Sequence, residues 1–315
     1  MGLFNPLKDI IEKKGFFLLD GGLASEIEGR GISLDDSLWS ARALIEFPEV
    51  IKQVHLDFLE AGADAITSAS YQASIPGFME RGLSREEAVR LMQLSISIAR
   101  EAVDEFVQKT GGPRPLVLAS IGPYGAYKAD GSEYRGDYRL SEEELIKFHE
   151  ERMKILASCM PDLLIFETIP CLSEARALIR ILETIPDMGA LLSFSCSDAS
   201  HSSFGEPLSE CFALANSTDQ ILGVGVNCCS PDWIDEVIQQ GKNTTQKPLM
   251  AYPNKGGVWD AHCKCWQDDE KQQKISSYTP IWLKAGTQIL GGCCRTTPED
   301  IMGIRKTGNK RMEKL

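Results

Sequence analysis

The sequence has no apolar run long enough to cross a membrane, which limits where the protein can act. A spanning helix needs roughly 20 consecutive apolar residues, and the apolar runs here are much shorter. The N-terminal stretch MGLFNPLKDIIEKKG lacks the layout of a secretory signal peptide. We therefore expect a cytoplasmic protein whose ten cysteines are reduced thiols rather than disulfides.

Positive charge and histidine are also scarce. The chain has 33 Lys and Arg residues against 45 Asp and Glu residues, a formal net charge of -12. Nucleic acid and anionic membrane surfaces would repel such a protein, so we expect neither as a partner. Only four histidines occur. None of them stands with a Ser or Cys nucleophile and an orienting carboxylate, which disfavours a Ser-His-Asp or Cys-His hydrolase.

The chain does contain a repeated alternation of short apolar runs and helical segments. Continuous apolar runs of this length are typical of strands covered on both faces, as in a parallel sheet. The eight predicted strands are Phe16–Asp20, Asp64–Ser70, Leu116–Ile121, Asp162–Thr168, Ala190–Cys196, Leu222–Cys228, Leu249–Asn254 and Thr287–Cys294.

Segments with helical periodicity lie between these strands. Two of them begin with the capping pattern Ser-x-x-Glu, and a weaker one is interrupted by Pro280. The predicted helices are Pro48–Ala61, Ser84–Val107, Ser141–Ala157, Ser173–Ile185, Pro231–Gln240, Lys271–Lys284 (the weaker one) and Pro298–Arg305.

This alternation predicts an α/β protein with a (β/α)8 TIM barrel. We expect one domain over residues 1–315, with its core at about 15–306. A doubly wound open sheet is the alternative. It is less favoured because DGGLAS, after the first strand, is not the G-x-G-x-x-G phosphate turn.

The C-terminal ends of the predicted strands concentrate polar residues and thiols. Active sites of such barrels are built at these ends, so the residues there are the candidates for chemistry. They include Asp20-Gly21, Ser70-Tyr71, Tyr124, Glu167, Asn227-Cys228 and Cys293-Cys294.

Three of these thiols could face one point above the barrel. Cys228 ends the sixth predicted strand and the Cys293–Cys294 pair ends the eighth. Three thiolates around one ion form a tetrahedral zinc site with an open fourth position, which is typical of catalytic zinc. We interpret Gly291 and Gly292 as allowing the tight turn that aims both cysteines at one ion. From the residues alone, three buried packing thiols are an equally good interpretation, because no C-x-x-C knuckle is present.

The remaining cysteines have simpler interpretations. His262-Cys263-Lys264-Cys265 resembles a second metal cluster, but it lies in a polar stretch without a fourth ligand at zinc-finger spacing. We interpret it as an exposed loop. The other five are expected to be packing residues: Cys159, Cys171, Cys196, Cys211 and Cys229.

A series of motifs carries a family resemblance over residues 18–301. Together they resemble the zinc-dependent homocysteine S-methyltransferases, which include betaine–homocysteine methyltransferase and the homocysteine module of cobalamin-dependent methionine synthase. The stretch ADGSEYRGDY further resembles the branch that uses S-methylmethionine or S-adenosylmethionine. In order, the motifs are LLDGGLASEIEGRG, DSLWSAR, ITSASYQAS, SIGPYGAYKADGSEYRGDY, FETIP, GVNCCS, AYPNKG and GGCCRTTPEDI.

The resemblance implies a methyltransferase that makes methionine from homocysteine and a sulfonium donor. It implies one Zn²⁺ per chain on Cys228, Cys293 and Cys294, with Cys228 chosen over its neighbour Cys229 by the VNC motif. Asp20 and Glu167 match the positions that hold the homocysteine amino group. The other expected substrate residues are Gly21, Ser70 and Asn227, and the candidates for the donor pocket are Trp39, Tyr71 and Tyr124.

Two alternatives stay open at this point. One is a betaine-dependent enzyme, which is disfavoured because the chain lacks the long C-terminal extension through which betaine enzymes associate. The same feature favours a monomer. The other alternative is a barrel whose thiols store zinc or undergo redox chemistry without turnover.

Overall fold

The computed structural model describes residues 4–33, 40–256, 258–260, 265–267 and 273–312. The strands are β1 (Phe17–Leu18), β2 (Ala65–Thr67), β3 (Leu116–Ile121), β4 (Leu163–Ile169), β5 (Ala190–Phe194), β6 (Ile221–Asn227), β7 (Leu249–Tyr252), β8 (Val258–Asp260), β9 (Cys265–Gln267) and β10 (Thr287–Leu290).

The α-helices alternate with these strands. Their bounds are α1 (Pro6–Lys14), α2 (Leu23–Gly29), α3 (Ser40–Glu46), α4 (Pro48–Glu60), α5 (Ile75–Glu80), α6 (Arg85–Thr110), α7 (Tyr124–Lys128), α8 (Glu142–Ser158), α9 (Leu172–Leu182), α10 (Leu208–Leu214), α11 (Ile234–Lys242), α12 (Thr279–Ala285) and α13 (Pro298–Met312). Within the described ranges, no helix combines the length and apolar character needed to cross a membrane.

Eight parallel strands form one sheet in the order β1-β10-β7-β6-β5-β4-β3-β2. The two end strands meet through Asp64, whose backbone N–H donates to the Leu18 carbonyl at 2.7 Å. The Asp64 carboxylate accepts the Leu18 N–H at 2.9 Å and pairs with Lys14 and Arg305. The sheet therefore curls into a nearly closed barrel with helices around it, which confirms the predicted (β/α)8 fold.

The strong helix-start signals are confirmed. Ser84 with Glu87 caps α6, and Ser141 with Glu144 caps α8, each through a reciprocal capping box. The expected role of Pro280 was wrong. It stands in the first turn of α12 and begins that helix, because proline at this position gives up no helical hydrogen bond.

The stretch between β7 and α12 also differs from the expected loop. Val258–Asp260 and Cys265–Gln267 pair as an antiparallel two-stranded sheet, β8 with β9. The alternation of apolar and polar residues is too short there for a sequence pattern to separate a hairpin from a loop. His262, Cys263, Lys264 and Lys271 lie outside the described residues.

Alternation along the strands separates two apolar clusters and then supplies a polar layer. On β4, Leu163 and Ile165 lie in the cluster inside the barrel, whereas Leu164 and Phe166 pack against the helices. Leu7 of α1 belongs to the inner cluster. Because side chains alternate with period two, the next inward positions are Glu167 on β4, Asn227 on β6 and, beyond Ile289 and Gly291 of the last strand, Cys293.

Candidate metal centre and substrate site

Three thiols meet at the C-terminal mouth of the barrel. The Sγ atoms of Cys228, Cys293 and Cys294 lie within 4.8 Å of one another, and all three residues are partly buried. The Cys228–Cys293 sulfur pair is 2.7 Å apart and the Cys228–Cys294 pair is 3.7 Å apart. Sulfur ligands of one zinc ion lie roughly 3.8 Å apart, because Zn–S is about 2.3 Å. The Cys228–Cys294 edge already has that length, and the Cys228–Cys293 edge has to open by about 1 Å on metal binding.

Cys228 is aimed by an unusual backbone conformation. It follows the last residue of β6 and has a φ of 52°, in the left-handed region that non-glycine residues seldom occupy. Such a conformation has an energetic cost of about 1–3 kcal/mol and persists only where the surroundings enforce it. Two other rim residues, Thr168 and Arg295, also have positive φ, at 62° and 67°. Three of the six non-glycine residues with positive φ in the described part of the chain thus lie at the rim that carries the thiols.

The backbone of the cysteine pair is held by hydrogen bonds to residues that follow neighbouring strands. The Cys293 N–H donates to the Pro253 carbonyl at 2.8 Å, and the Cys294 N–H donates to Asn254 Oδ1 at 3.2 Å. The Gly292 N–H donates to the Asp20 carbonyl at 3.0 Å. These bonds explain why β10 ends at Leu290, earlier than predicted: the segment after it bonds to the loops after β7 and β1.

The role expected for the two glycines before the pair was wrong in its mechanism. Neither Gly291 nor Gly292 has a positive φ. They are required by close approach instead, since a Cβ on Gly292 would lie 2.2 Å from Thr296 Oγ1 and one on Gly291 would lie 2.8 Å from Leu19 Cβ. A side chain at either position would therefore displace the segment that carries the cysteines.

Asn227 links the strand ends beneath the thiols. Its side chain is fully buried, accepts the Thr168 N–H at 2.8 Å and the Ser193 hydroxyl at 2.7 Å, and donates to Thr168 Oγ1 at 2.8 Å. The same amide nitrogen donates to Cys293 Sγ at 3.8 Å. All polar atoms of Asn227 are therefore engaged within the protein, and they hold β4, β5, β6 and one thiol in a fixed relation.

The three thiols share charge unequally. Hydrogen bonds from the Cys293 and Cys294 thiols lower the pKa of Cys228 well below its usual range. The pKa values of Cys293 and Cys294 rise, chiefly because both sulfurs bond to Cys228. Without a cation the cluster favours one thiolate and two thiols. A divalent ion would offset the mutual repulsion of three thiolates, so this donor set is suited to one metal ion.

Two carboxyls stand at the same mouth: Asp20, which is buried, and Glu167, which is partly buried. Asp20 accepts the Thr67 N–H at 2.7 Å and its hydroxyl at 2.9 Å, and burial raises its pKa to about 7. Glu167 accepts hydrogen bonds from the Ser120 hydroxyl and, at 3.4 Å, from the Tyr252 hydroxyl. Burial, together with the charges of Asp20 and Cys228, raises the pKa of Glu167 to about 8. Both carboxyls would gain from a cationic partner in the mouth.

The other expected substrate residues take different places. Gly21 packs closely, since a Cβ there would lie 2.7 Å from the Phe58 ring and 2.8 Å from the Thr296 carbonyl. The Ser70 hydroxyl is fully buried, donates to the Ser120 carbonyl at 2.7 Å and pairs with Ser68 Oγ at 2.7 Å. Both residues shape the rim through the backbone.

The aromatic candidates separate into distinct environments. The Tyr71 hydroxyl hydrogen-bonds to Thr168, and the charges of Glu133 and Cys228 help burial to raise the pKa of Tyr71. Tyr124 lies in an aromatic cluster, edge-to-face with Phe148 at 4.9 Å between ring centroids. Trp39 lies outside the described residues.

Sequence reasoning missed one residue at the thiol cluster. The Tyr134 hydroxyl lies 3.6 Å from Cys228 Sγ, and the residue is 36% exposed at the mouth. Desolvation of its hydroxyl and the nearby cysteine charges raise the pKa of Tyr134, so it is a neutral phenol that donates to the sulfur. Its position in ADGSEYRGDY, between two strand-like runs, is the signal in the sequence, and that motif indicates the family without singling out the tyrosine.

The cysteines assigned to packing show no comparable cluster in the described part of the chain. Cys171, Cys211 and Cys229 are buried, and burial raises the pKa of Cys171 to about 11. Cys159 and Cys196 are partly buried. Cys229 points away from the three thiols, bonds to Cys196 and has a raised pKa, so its neighbour Cys228 is the one that joins the cluster.

Comparison with known proteins places this arrangement in a family. The sequence model described as homocysteine S-methyltransferase matches residues 17–307. The chain is 46% identical to homocysteine S-methyltransferase YbgG of Bacillus subtilis, over 95% of this chain and 96% of that protein. It is 42% identical to homocysteine S-methyltransferase of Escherichia coli, over 96% and 98% of the two chains.

A solved structure is similar over the same length. The metallated form of the homocysteine methyltransferase MmuM from Escherichia coli superposes with a TM-score of 0.87 at 40% identity, covering 96% of this chain and 99% of that one. The resemblance noted in the motifs thus extends to the whole chain and to its three-dimensional structure. The chain belongs to the homocysteine S-methyltransferase family.

Proposed function

We propose that the protein transfers a methyl group from a sulfonium donor to homocysteine, giving methionine. The donor proposed is S-methylmethionine, with S-adenosylmethionine as a second possibility of the same chemical class. The observation that carries the proposal is the convergence of Cys228, Cys293 and Cys294 at the barrel mouth, within reach of one ion. Family membership supports homocysteine as the acceptor.

Zn²⁺ is the metal proposed, one per chain, held by the three thiolates. Soft thiolate donors favour zinc over magnesium or calcium, and three protein ligands leave one tetrahedral position open for a substrate. When bound, zinc would lower the pKa of the homocysteine thiol, which is near 8.5 for a free alkyl thiol, and so supply a nucleophilic thiolate at neutral pH. The chain then needs no general base for this proton.

Asp20 and Glu167 are proposed to bind the ammonium group of homocysteine. Their raised pKa values, about 7 and about 8, follow from burial with too little compensating charge. An ammonium group between them would favour their ionised forms and would itself be favoured by them. Of the other expected residues, Gly21, Ser70 and Asn227 are proposed to act by positioning the rim, since their side-chain space or polar atoms are already engaged.

The donor is proposed to enter beside Tyr71 and Tyr134. Both lie close enough to Cys228 for its charge to raise their pKa values. An aromatic face attracts a sulfonium through cation–π interaction worth roughly 0.5–2 kcal/mol. The anionic character of the mouth adds to this attraction. Tyr124, packed in its aromatic cluster, is proposed to support the loop, and Trp39 remains a prediction.

In-line transfer joins an anionic nucleophile with a cationic donor. The methyl carbon–sulfur bond of the donor breaks as the bond to the homocysteine sulfur forms, and the donor leaves as a neutral thioether. Charge is dispersed during the step, so exclusion of water by the mouth and alignment of the two sulfurs would contribute most of the rate. The residues of the chain bind the two substrates, orient them and exclude water from the site.

The proposal is tested by incubating zinc-loaded, reduced protein with homocysteine and each donor, and measuring methionine. We expect product with S-methylmethionine and less or none with betaine. A marked betaine preference would contradict the donor, and no product with any donor would favour the non-catalytic zinc or redox thiol barrel. The cytoplasmic location and the monomeric state stay predictions.

A variant pair tests the metal ligands. Cys294→Ala should lose zinc binding and turnover while the barrel stays folded, because two thiols cannot hold the ion with the same affinity. Cys159→Ala is the matched control, since Cys159 is a partly buried thiol in a different region. Full activity of Cys294→Ala, or equal loss in both variants, would contradict the ligand assignment.

A further inference from the structure

A buried guanidinium lies behind the part of the mouth where the methyl donor is proposed to bind. Arg152, on α8, is 2% exposed. Its Nη1 donates to the Gly122 carbonyl at 3.2 Å, and its Nη2 donates to the carbonyls of Ser70 at 3.2 Å and Tyr71 at 2.9 Å. One side chain thus holds the backbone beyond β2 and beyond β3 together.

A buried carboxylate on the next helix completes this support. Glu174, on α9, is fully buried and accepts the Tyr124 N–H at 2.6 Å and the His149 Nε2–H at 2.8 Å. Its charge also favours the protonated form of Arg152, opposing the effect of burial on the pKa of that residue. Two helices therefore place opposite charges against the rim segments that carry Tyr71 and Tyr124.

Stability alone does not explain such a group. Burying a guanidinium and a carboxylate has a desolvation cost of several kcal/mol, and a well-packed apolar replacement is often as stable or more so. What an apolar side chain cannot do is bond three carbonyls on two loops at once. The planar fork of arginine has donors in the fixed directions this requires, and the single ammonium of lysine does not.

The residue held most closely is Tyr71. Its carbonyl accepts from Arg152 and also from the Gly122 N–H at 3.1 Å. A Cβ on Gly122 would lie 2.6 Å from the Tyr71 ring, so the ring packs directly against that glycine. At its other end the Tyr71 hydroxyl bonds to Thr168, which Asn227 ties to the thiol cluster.

We propose that Arg152 is a positioning residue that sets the place of the Tyr71 ring and thereby the affinity for the methyl donor. The inference rests on the proposed function, because it assigns Tyr71 to the donor side of the mouth. The groups proposed to bind homocysteine and zinc are Asp20 after β1, Glu167 on β4, Cys228 after β6 and the cysteine pair after β10. Arg152 donates the three hydrogen bonds described above to none of these groups. Its loss should therefore affect one substrate and spare the other.

The test uses Arg152→Lys and Arg152→Met in the zinc-loaded protein. We expect the KM for S-methylmethionine to rise about tenfold or more, since misplacement by about 1 Å can reduce rates a hundredfold. The KM for homocysteine and the zinc content should stay within about twofold of wild type. Lys154→Met is the control, because it removes an exposed charge from the same helix. If Arg152→Met does not fold, Arg152→Lys decides the result.

A double-variant cycle separates positioning from general loosening. If Arg152 acts through Tyr71, Arg152→Lys should cause no further change in the donor KM once Tyr71→Ala is present. Additive effects, an equal rise in both KM values, or a lower unfolding temperature with both KM values unchanged would each overturn the inference. If wild-type protein transfers no methyl group from any donor, the proposed function fails and this inference falls with it. If wild type is active and Arg152→Lys is indistinguishable from it, the inference fails alone.

Discussion

Replacing Asn227 with leucine should weaken both the fold and the metal centre. Leucine has a similar volume, so the change removes hydrogen bonds without opening a large cavity. The Thr168 N–H and the Ser193 hydroxyl would lose their partner in a fully buried environment. A stranded buried polar group costs about 1–3 kcal/mol, so for these two groups we expect a loss of about 2–6 kcal/mol in the free energy of unfolding.

This loss sets the size of the thermal effect. For a chain of this size each kcal/mol corresponds to roughly 2 °C, so the unfolding temperature should fall by roughly 4–12 °C. The left-handed conformation of Thr168 adds to the effect, because Asn227 bonds both its backbone and its side chain. Differential scanning calorimetry of metal-free protein measures this part without interference from zinc.

The metal effect is separate from the thermal one. Asn227 donates to Cys293 Sγ at 3.8 Å, and partners of metal ligands typically contribute 10–100-fold to metal affinity. We therefore expect zinc affinity, measured by chelator competition, to fall by about that factor. Asn216→Leu is the control, because Asn216 also makes two side-chain hydrogen bonds, to Thr244 and Thr245, and is exposed in a 3-10 turn away from the cluster. Unchanged zinc affinity in Asn227→Leu, or an equal fall in both variants, would refute the reasoning.

Three further predictions concern the carboxyls and the glycines. Burial raises the pKa of Asp20 from 3.8 to about 7 and that of Glu167 from 4.5 to about 8, so the folded metal-free protein holds protons that the unfolded chain has released. The free energy of unfolding should therefore fall as pH rises from about 4 to about 8. A pH-independent value in denaturant titrations would contradict this. Glu167→Gln should make the free energy of unfolding depend less on pH. It should also raise the KM for homocysteine about tenfold or more, because a neutral amide replaces a carboxylate that would bind ammonium. An unchanged KM in steady-state assays would remove Glu167 from the substrate site. Gly292→Ala should displace the cysteine segment at a cost of about 1–3 kcal/mol in the free energy of unfolding, since its Cβ would lie 2.2 Å from Thr296 Oγ1. Gly29→Ala is the control, with no atom within 4 Å of its Cβ, and it should be neutral in both thermal unfolding and zinc titration.

The barrel could be predicted because its signals are local and repeated. Capping boxes at Ser84 and Ser141 mark two helices where the structure has them. Apolar runs such as DLLIFET correspond to β4. Prediction from local sequence was wrong where one residue type occurs in two different structural positions. Pro280 can interrupt a helix or begin one, and only the chain around it decides which.

The residues of the candidate site could be predicted from the sequence, but the contacts between them could not. Strand ends brought Cys228, Cys293, Glu167 and Asp20 to one rim because every strand of a parallel barrel ends there. Distances across the mouth cannot be inferred from the sequence, so it could not show that the Asn227 side chain hydrogen-bonds to Thr168 and Cys293. Tyr134 was missed for the same reason, since 94 residues separate it from Cys228.

By itself the sequence determined the periodic pattern, and with it the fold, the family and the thiols available for a metal. Those properties depend on residue type and on spacing along the chain. Only the tertiary structure shows that the polar side-chain atoms of Ser70 and Asn227 are engaged within the protein. It also shows that the carboxyls of Asp20 and Glu167 accept hydrogen bonds from uncharged groups and would still gain from a cation. It also decided why Gly291 and Gly292 precede the cysteines: close contacts with Leu19 and Thr296 leave no room for a side chain. Contacts between distant segments arise only when the barrel closes, and burial then fixes their energies.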